Sequence, residues 1–97
     1  MNQLAISAVP VERSVLRYTP AGIPVAEIGF RFEGSVTEAG SERQLGFEFA
    51  AIALGPVASA LQEEPLGAPL ALKGFIAPRS RRSQRLIVHI TEYEKGV

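Results

Sequence analysis

The 97-residue chain has no cysteine, no tryptophan and no aspartate, and a single histidine. Without cysteine, neither a disulfide nor a thiolate metal site can hold the fold. His89 stands alone in a strand-like stretch, with too few partners for a metal site, and reads as a structural or surface histidine. With no aspartate, and with serines mostly in loop-like stretches, no set of nucleophile, base and orienting acid can be composed. No glycine-rich loop carries the Lys and Ser/Thr of a phosphate cradle. Glu63 and Glu64 are paired carboxylates without a partner base, and a solvated helix end accounts for them. These absences point to a binding protein rather than an enzyme, with no cofactor, metal or small-molecule substrate expected. Net charge is also missing, because ten basic side chains meet ten acidic ones. Attraction to a polyanion must therefore come from a local patch. No apolar run approaches about 18 residues, so no membrane span or membrane partner is expected. The N-terminal stretch meets Glu12 and Arg13 where a signal peptide would stay apolar, which makes the cytoplasm the expected location.

What is present is a series of alternating runs. The length suits one domain, residues 1–97, with one core. Leu4, Ile6 and Ala8 alternate with polar residues, and Pro10 ends or bends this first strand at an edge. Tyr18 to Pro24, with two prolines and Gly22, reads as a loop. Val25 to Glu33 places Ala26, Ile28, Phe30 and Phe32 on one face, and Glu27, Gly29, Arg31 and Glu33 on the other. Arg31 shares that outward face with two glutamates, so an ion pair is its expected role. Gly34 to Arg43 reads as a polar turn around Ala39-Gly40. Gln44 to Leu54 then alternates with Leu45, Phe47, Phe49 and Ala51 on one side, which puts four phenylalanines in the core. Gly55 to Gln62 is the one plausible helix, with Pro56 near its start and Val57, Ala60 and Leu61 on one face. Two more strands follow. Five strands with one short helix between the third and fourth is the chain order of an all-β OB-fold barrel. Gly29, Gly46 and Gly74 fall inside strand patterns, where glycine often marks a bulge or corner.

The last two strands carry the charge. Lys73, Arg79, Arg81, Arg82 and Arg85 are half of the chain's cations, and no acidic residue occurs from Pro65 to Thr91. Between the strands, Pro78 to Gln84 holds a proline, two serines and three arginines, a tip that cannot bury itself. Arginine pairs with phosphates and stacks on bases, so this hairpin is the candidate single-stranded nucleic-acid site. Counting from Leu70 and Leu72, Phe75 falls on the face of Lys73, where an exposed ring would stack bases. A bend at Gly74 would instead flip the parity and bury it. Arg17 and Tyr18 lie in the first loop, which in OB folds borders the ligand face. Tyr18 either stacks on a base or lids the barrel. Arg13 is a further candidate contact.

Thr19-Pro20-Ala21-Gly22-Ile23-Pro24 after the first strand, Glu38-Ala39-Gly40 with Arg43-Gln44 in the next turn, and Gly74-Phe75-Ile76 before a basic loop ending in Val88-His89 follow one another along the chain. Together they resemble the primosomal replication protein N family, a small bacterial branch of the single-stranded-DNA-binding proteins. The resemblance runs from Asn2 to about Glu94. It implies an OB fold, a homodimer, binding of single-stranded DNA, and a place beside a primosomal helicase and other primosome proteins in replication restart. Enterobacterial members of that family carry a tryptophan on the third strand for base stacking. Gly46 stands there in this sequence, and the basic loop is shorter, with Arg in place of Lys. A protein-interaction adaptor with weak or no DNA binding is the alternative that Gly46 and the zero net charge favour. An RNA-binding OB module shares the same chemistry.

Overall fold

The structure, a computed structural model, describes residues 1–96, and Val97 at the end of the expected domain lies outside them. Seven elements follow one another: β1 (Leu4–Arg13), β2 (Arg17–Tyr18), β3 (Pro24–Glu38), β4 (Ser41–Leu54), α1 (Pro56–Gln62), β5 (Leu70–Pro78) and β6 (Leu86–Lys95). The five long strands close into a mixed barrel with one short helix, the OB-fold order expected from the sequence.

Closure depends on β1, which serves two neighbours. Leu4 to Ala8 pair antiparallel with β5, and Val9 to Arg13 pair with β3. Pro10 does not end the strand. It is fully buried at the hand-over, and the register slips between Pro10 and Glu12. That slip is a bulge, which adds the twist a small barrel needs. A parallel contact of Ala51 and Ile52 in β4 with Val88 and His89 in β6 completes the ring. Phe30, Leu61, Leu70, Leu72, Val25 and Pro10 are the largest fully buried side chains; alternation selects Phe30, Leu70 and Leu72, whereas Leu61 comes from α1 and Val25 is buried beside Ala26 at the start of β3. α1 closes one end with Ala58 and Leu61, whereas Ala60, placed on that face from the sequence, is exposed. In a helix this short, the rotation that seats Ala58 and Leu61 turns Ala60 outward.

The long hairpin departs furthest from expectation. β3 and β4 stay paired to Glu38 and Ser41, so the polar turn shrinks to Ala39 and Gly40, both at positive φ. Fifteen extended residues span about 50 Å, which matches the 49 Å long axis. β1 contacts β3 only as far as Arg31. Beyond it, the inner face of the hairpin has no opposing wall. Phe30 is therefore buried and Phe49 packs against the core, but Phe32 is half-buried and Phe47 is 40% exposed. The expectation of four core phenylalanines is corrected to two. The outer pair, Phe32 and Phe47, packs ring to ring at 5.4 Å.

Two other readings change. Glu64 is buried rather than solvated, because the Tyr93 hydroxyl donates to its Oε2 at 2.7 Å and Lys95 lies 4.0 Å from Oε1. Burial and this carboxylate push the Tyr93 phenol up to about 12. Gly46 marks no bulge: it pairs regularly with Glu33.

Candidate nucleic-acid interface

β5 and β6 run antiparallel into the basic tip. The N–H of Arg79 donates to the carbonyl of Arg85 at 2.8 Å, and the N–H of Ser83 to that of Ser80 at 3.2 Å. This small knot closes the loop and leaves Arg81, Arg82 and Arg85 exposed, with no ion pair among the described residues. They are the free cations of the site.

Arg79 is different. Its guanidinium crosses to β3 and lies 3.1 Å from Oε1 of Glu27. Arg17 in β2 approaches the other oxygen of Glu27 at 3.6 Å. β2 and the basic hairpin therefore meet at one carboxylate. Tyr18 stands beside Arg17, 63% exposed; it pairs in a two-residue strand with Pro24 rather than lying in a loop, and it does not lid the barrel.

The remaining candidates lie apart from the tip. Arg13 is half-buried, and its guanidinium donates to the carbonyl of Glu64, which ties β1 to the end of α1. Lys73 faces Glu92 across the β5–β6 pair at 3.8 Å. Six residues of strand place it about 20 Å from Arg79. Phe75 keeps the parity read from Leu70 and Leu72, because β5 runs straight and the extra residue of the bulge, Thr91, sits in β6. Its ring is half-buried and lies flat on His89, with centroids 4.7 Å apart and 11° between planes. Phe75 is thus half of a part-buried cross-strand pair rather than the exposed ring expected from the sequence.

Two shallow grooves flank Arg79. One, of about 260 Å³, runs over Gly29 and Ala50 between Arg79 and the end of β1, with Glu12 and Glu27 on its rim. The other, of about 470 Å³, lies between β4 and the root of the hairpin, lined by Phe49, Ile76, Leu86, Arg79 and Arg85. Leu86 is 67% exposed there. On the same outer sheet, Arg31 pairs with Glu33 at 3.0 Å and with Glu48 at 3.9 Å, as its neighbours suggested. A Cβ on Gly46 would stand 3.0 Å from the Arg31 guanidinium, the far end of a flexible side chain. Sequence reasoning missed Glu27 as the partner of Arg79, since the two lie 52 residues apart. It also missed the apolar groove, which needs the parallel β4–β6 contact to exist.

A phosphate chain can run along such a surface, with arginines at its edge and apolar residues below for the bases. Comparison with known proteins agrees with that geometry. A family described as "Another single-strand binding protein family" matches residues 2–92. The replication restart protein PriB of Bordetella pertussis is 37% identical over 92 residues, which cover 95% of this chain and 86% of that protein. The solved structure of PriB from Ralstonia solanacearum superposes with a TM-score of 0.89 at 37% identity, over 98% of this chain and 97% of that one. The single-stranded DNA binding protein from Thermus aquaticus shares the fold, with a TM-score of 0.78 at 17% identity, over 100% of this chain and 50% of that one. By coverage and identity, the chain belongs to the PriB family of single-strand binding proteins.

Proposed function

We propose that this protein binds single-stranded DNA as an accessory factor of the primosome in replication restart. The observation that carries the reading is the hairpin tip, where Arg81, Arg82 and Arg85 stand exposed and unpaired among the described residues beside an apolar groove. The names of its relatives, replication restart and single-strand binding, support the same role. Phe75 offers a stacking face and Tyr18 borders the strand's path, while Arg17 and Arg79 are engaged in ion pairs with Glu27. The chain acts as one OB-fold domain in the cytoplasm, as a binding protein rather than an enzyme, and its protein partners are a primosomal helicase and other primosome components. Among the described residues, no helix is long and apolar enough to cross a membrane. A homodimer is part of the reading. The barrel is closed, yet Leu4 to Ala8 bond only to β5, and this leaves one edge of β1 free for a second copy.

A second reading, the adaptor, rests on a specific observation: Glu12, Glu27 and Glu48 rim the grooves, and Gly46 offers no aromatic platform. Fluorescence anisotropy of oligo-dT across a salt series separates the two. Each phosphate contact contributes about −0.7 to the slope of log affinity against log salt, so three free arginines give about −2. Arg81→Ala with Arg82→Ala flattens the slope by about 1.4, with little dependence on base sequence. On the adaptor reading, parent and variant bind oligo-dT alike, and the variant fails only toward its protein partner. Equal DNA binding at low salt would overturn the first reading. A parallel titration with oligo-rU tests RNA preference.

A further inference from the structure

Among the described residues, the carboxylate that ion-pairs with an arginine of the hairpin tip, Arg79, is that of Glu27. Its backbone sits within β3 between buried Ala26 and Ile28. The side chain is 28% exposed, while Arg17 and Arg79 are each more than half exposed. The carboxylate is the more buried partner, and both cations reach it from solvent. A carboxylate and a phosphate offer the same guanidinium the same pair of acceptor oxygens. Arg79 and Arg17 therefore have a competitor for any phosphate built into the protein. One arginine comes from β2 and the other from the hairpin, so their shared contact with Glu27 joins the two elements beside the groove that Arg79 lines.

We propose that Glu27 acts as an internal stand-in for phosphate, holding Arg17 and Arg79 out of the DNA contact and so setting the affinity and salt dependence of the protein. The proposal deepens the single-stranded-DNA reading and rests on it. The unaltered protein engages DNA through Arg81, Arg82 and Arg85, and the two clasped arginines join only when Glu27 is neutralised. An opposing role would make Glu27 a positioning residue that aims Arg79 at the DNA, and its removal would then weaken binding.

The test is oligo-dT anisotropy on four proteins: the parent, Glu27→Gln, Arg17→Ala with Arg79→Ala, and all three changes together. Glu27→Gln should tighten binding about three- to tenfold at low salt, the scale of freeing two exposed ion pairs. Its salt slope should steepen by about 1.4, for two further phosphates. In the background lacking both arginines, the gain should fall below about twofold, because mere loss of a negative charge would persist there. If Glu27→Gln does not fold, judged by circular dichroism, the double arginine variant still decides: on the clasp it loses less than about twofold from the parent, and a tenfold loss overturns the proposal. Equal or weaker binding by Glu27→Gln, or the same gain in both backgrounds, also overturns it. Failure of the parent alone, with binding restored in Glu27→Gln, would support the clasp and overturn the DNA-binding reading of the unaltered protein. Failure of both would overturn both.

Discussion

Gly74→Ala tests the geometry that supports the stacking pair. Across from Gly74, the β5–β6 register jumps from Lys73–Glu92 to Gly74–Ile90, so Thr91 is the extra residue of a bulge. The backbone of β6 bows inward there. A Cβ built on Gly74 would lie 1.7 Å from the carbonyl oxygen of His89, 2.8 Å from its carbon and 3.1 Å from Cα of Ile90. All three obstacles are backbone, so no rotamer relieves them. Overpacking that side chains can absorb costs about 1–3 kcal/mol, and a clash with backbone belongs at about 3 or above. A domain of this size has roughly 5 kcal/mol or somewhat more to lose. With about 4–8 °C lost per kcal/mol, the melting temperature should fall by about 12–24 °C. Far-ultraviolet circular dichroism and a urea midpoint would measure it. Gly34→Ala is the matched control: its Cβ meets only the tip of the Phe32 ring at 2.9 Å, which can swing aside. Lower chain entropy in the unfolded state then offsets about 0.4–1 kcal/mol, so its stability should change little. A Gly74→Ala protein that melts within about 3 °C of the parent would refute the reasoning, since the bulge would then be free to move.

Phe30→Ala should cost about 3–5 kcal/mol, but Phe47→Ala only about 1–2, because its ring touches two others yet remains partly exposed; similar melting losses would contradict the uncovered inner face of the hairpin. Tyr93 carries a phenol whose pKa is raised to about 12, first by burial and then by Glu64. An acid held protonated in the fold adds stability that is present below its unfolded pKa, about 10, and lost as pH rises toward 12. The parent should therefore lose melting temperature between about pH 10 and 12 more steeply than Tyr93→Phe, and parallel curves would contradict this. Phe75→Ala should weaken oligo-dT binding by about 1–3 kcal/mol with an unchanged salt slope, since stacking releases no counterions; a flatter slope would mean that the change disturbed the arginines instead.

Local periodicity carried most of the fold. Alternation with period two named the inward residues of β1, β3, β4 and β5, and the turn residues separated them in order. The failures share a cause: each depends on what another element does. Whether Phe47 is covered depends on where β1 stops pairing with β3, and nothing near Phe47 encodes that. Glu64 resembles a solvated helix end until Tyr93, 29 residues away, arrives beside it. Gly74 was legible as a corner, but the extra residue lies on the partner strand, which is why the parity of Phe75 survived. The basic tip was legible because its charges are consecutive in the chain. The acid that answers Arg79 was not, because alternation places Glu27 on an outward face without saying what crosses that face.

The balance of charge follows from the same geometry. A net charge of zero argues against DNA binding only if all twenty charged side chains act on the DNA at once. They do not. Eleven residues along β3 separate Glu27 from Glu38, about 36 Å of strand, while the Debye length at physiological salt is about 8 Å. Glu38 is moreover held by Arg43 at the far end of the hairpin. A phosphate at the basic tip is screened from that end of the molecule. What it meets is Arg81, Arg82 and Arg85 in the loop, and Glu12, Glu27 and Glu48 on the rims of the grooves. The choice between a DNA-binding protein and an adaptor therefore turns on these few carboxylates, and Glu27 stands out among them, because it alone is seated between two arginines that a strand of DNA would otherwise claim.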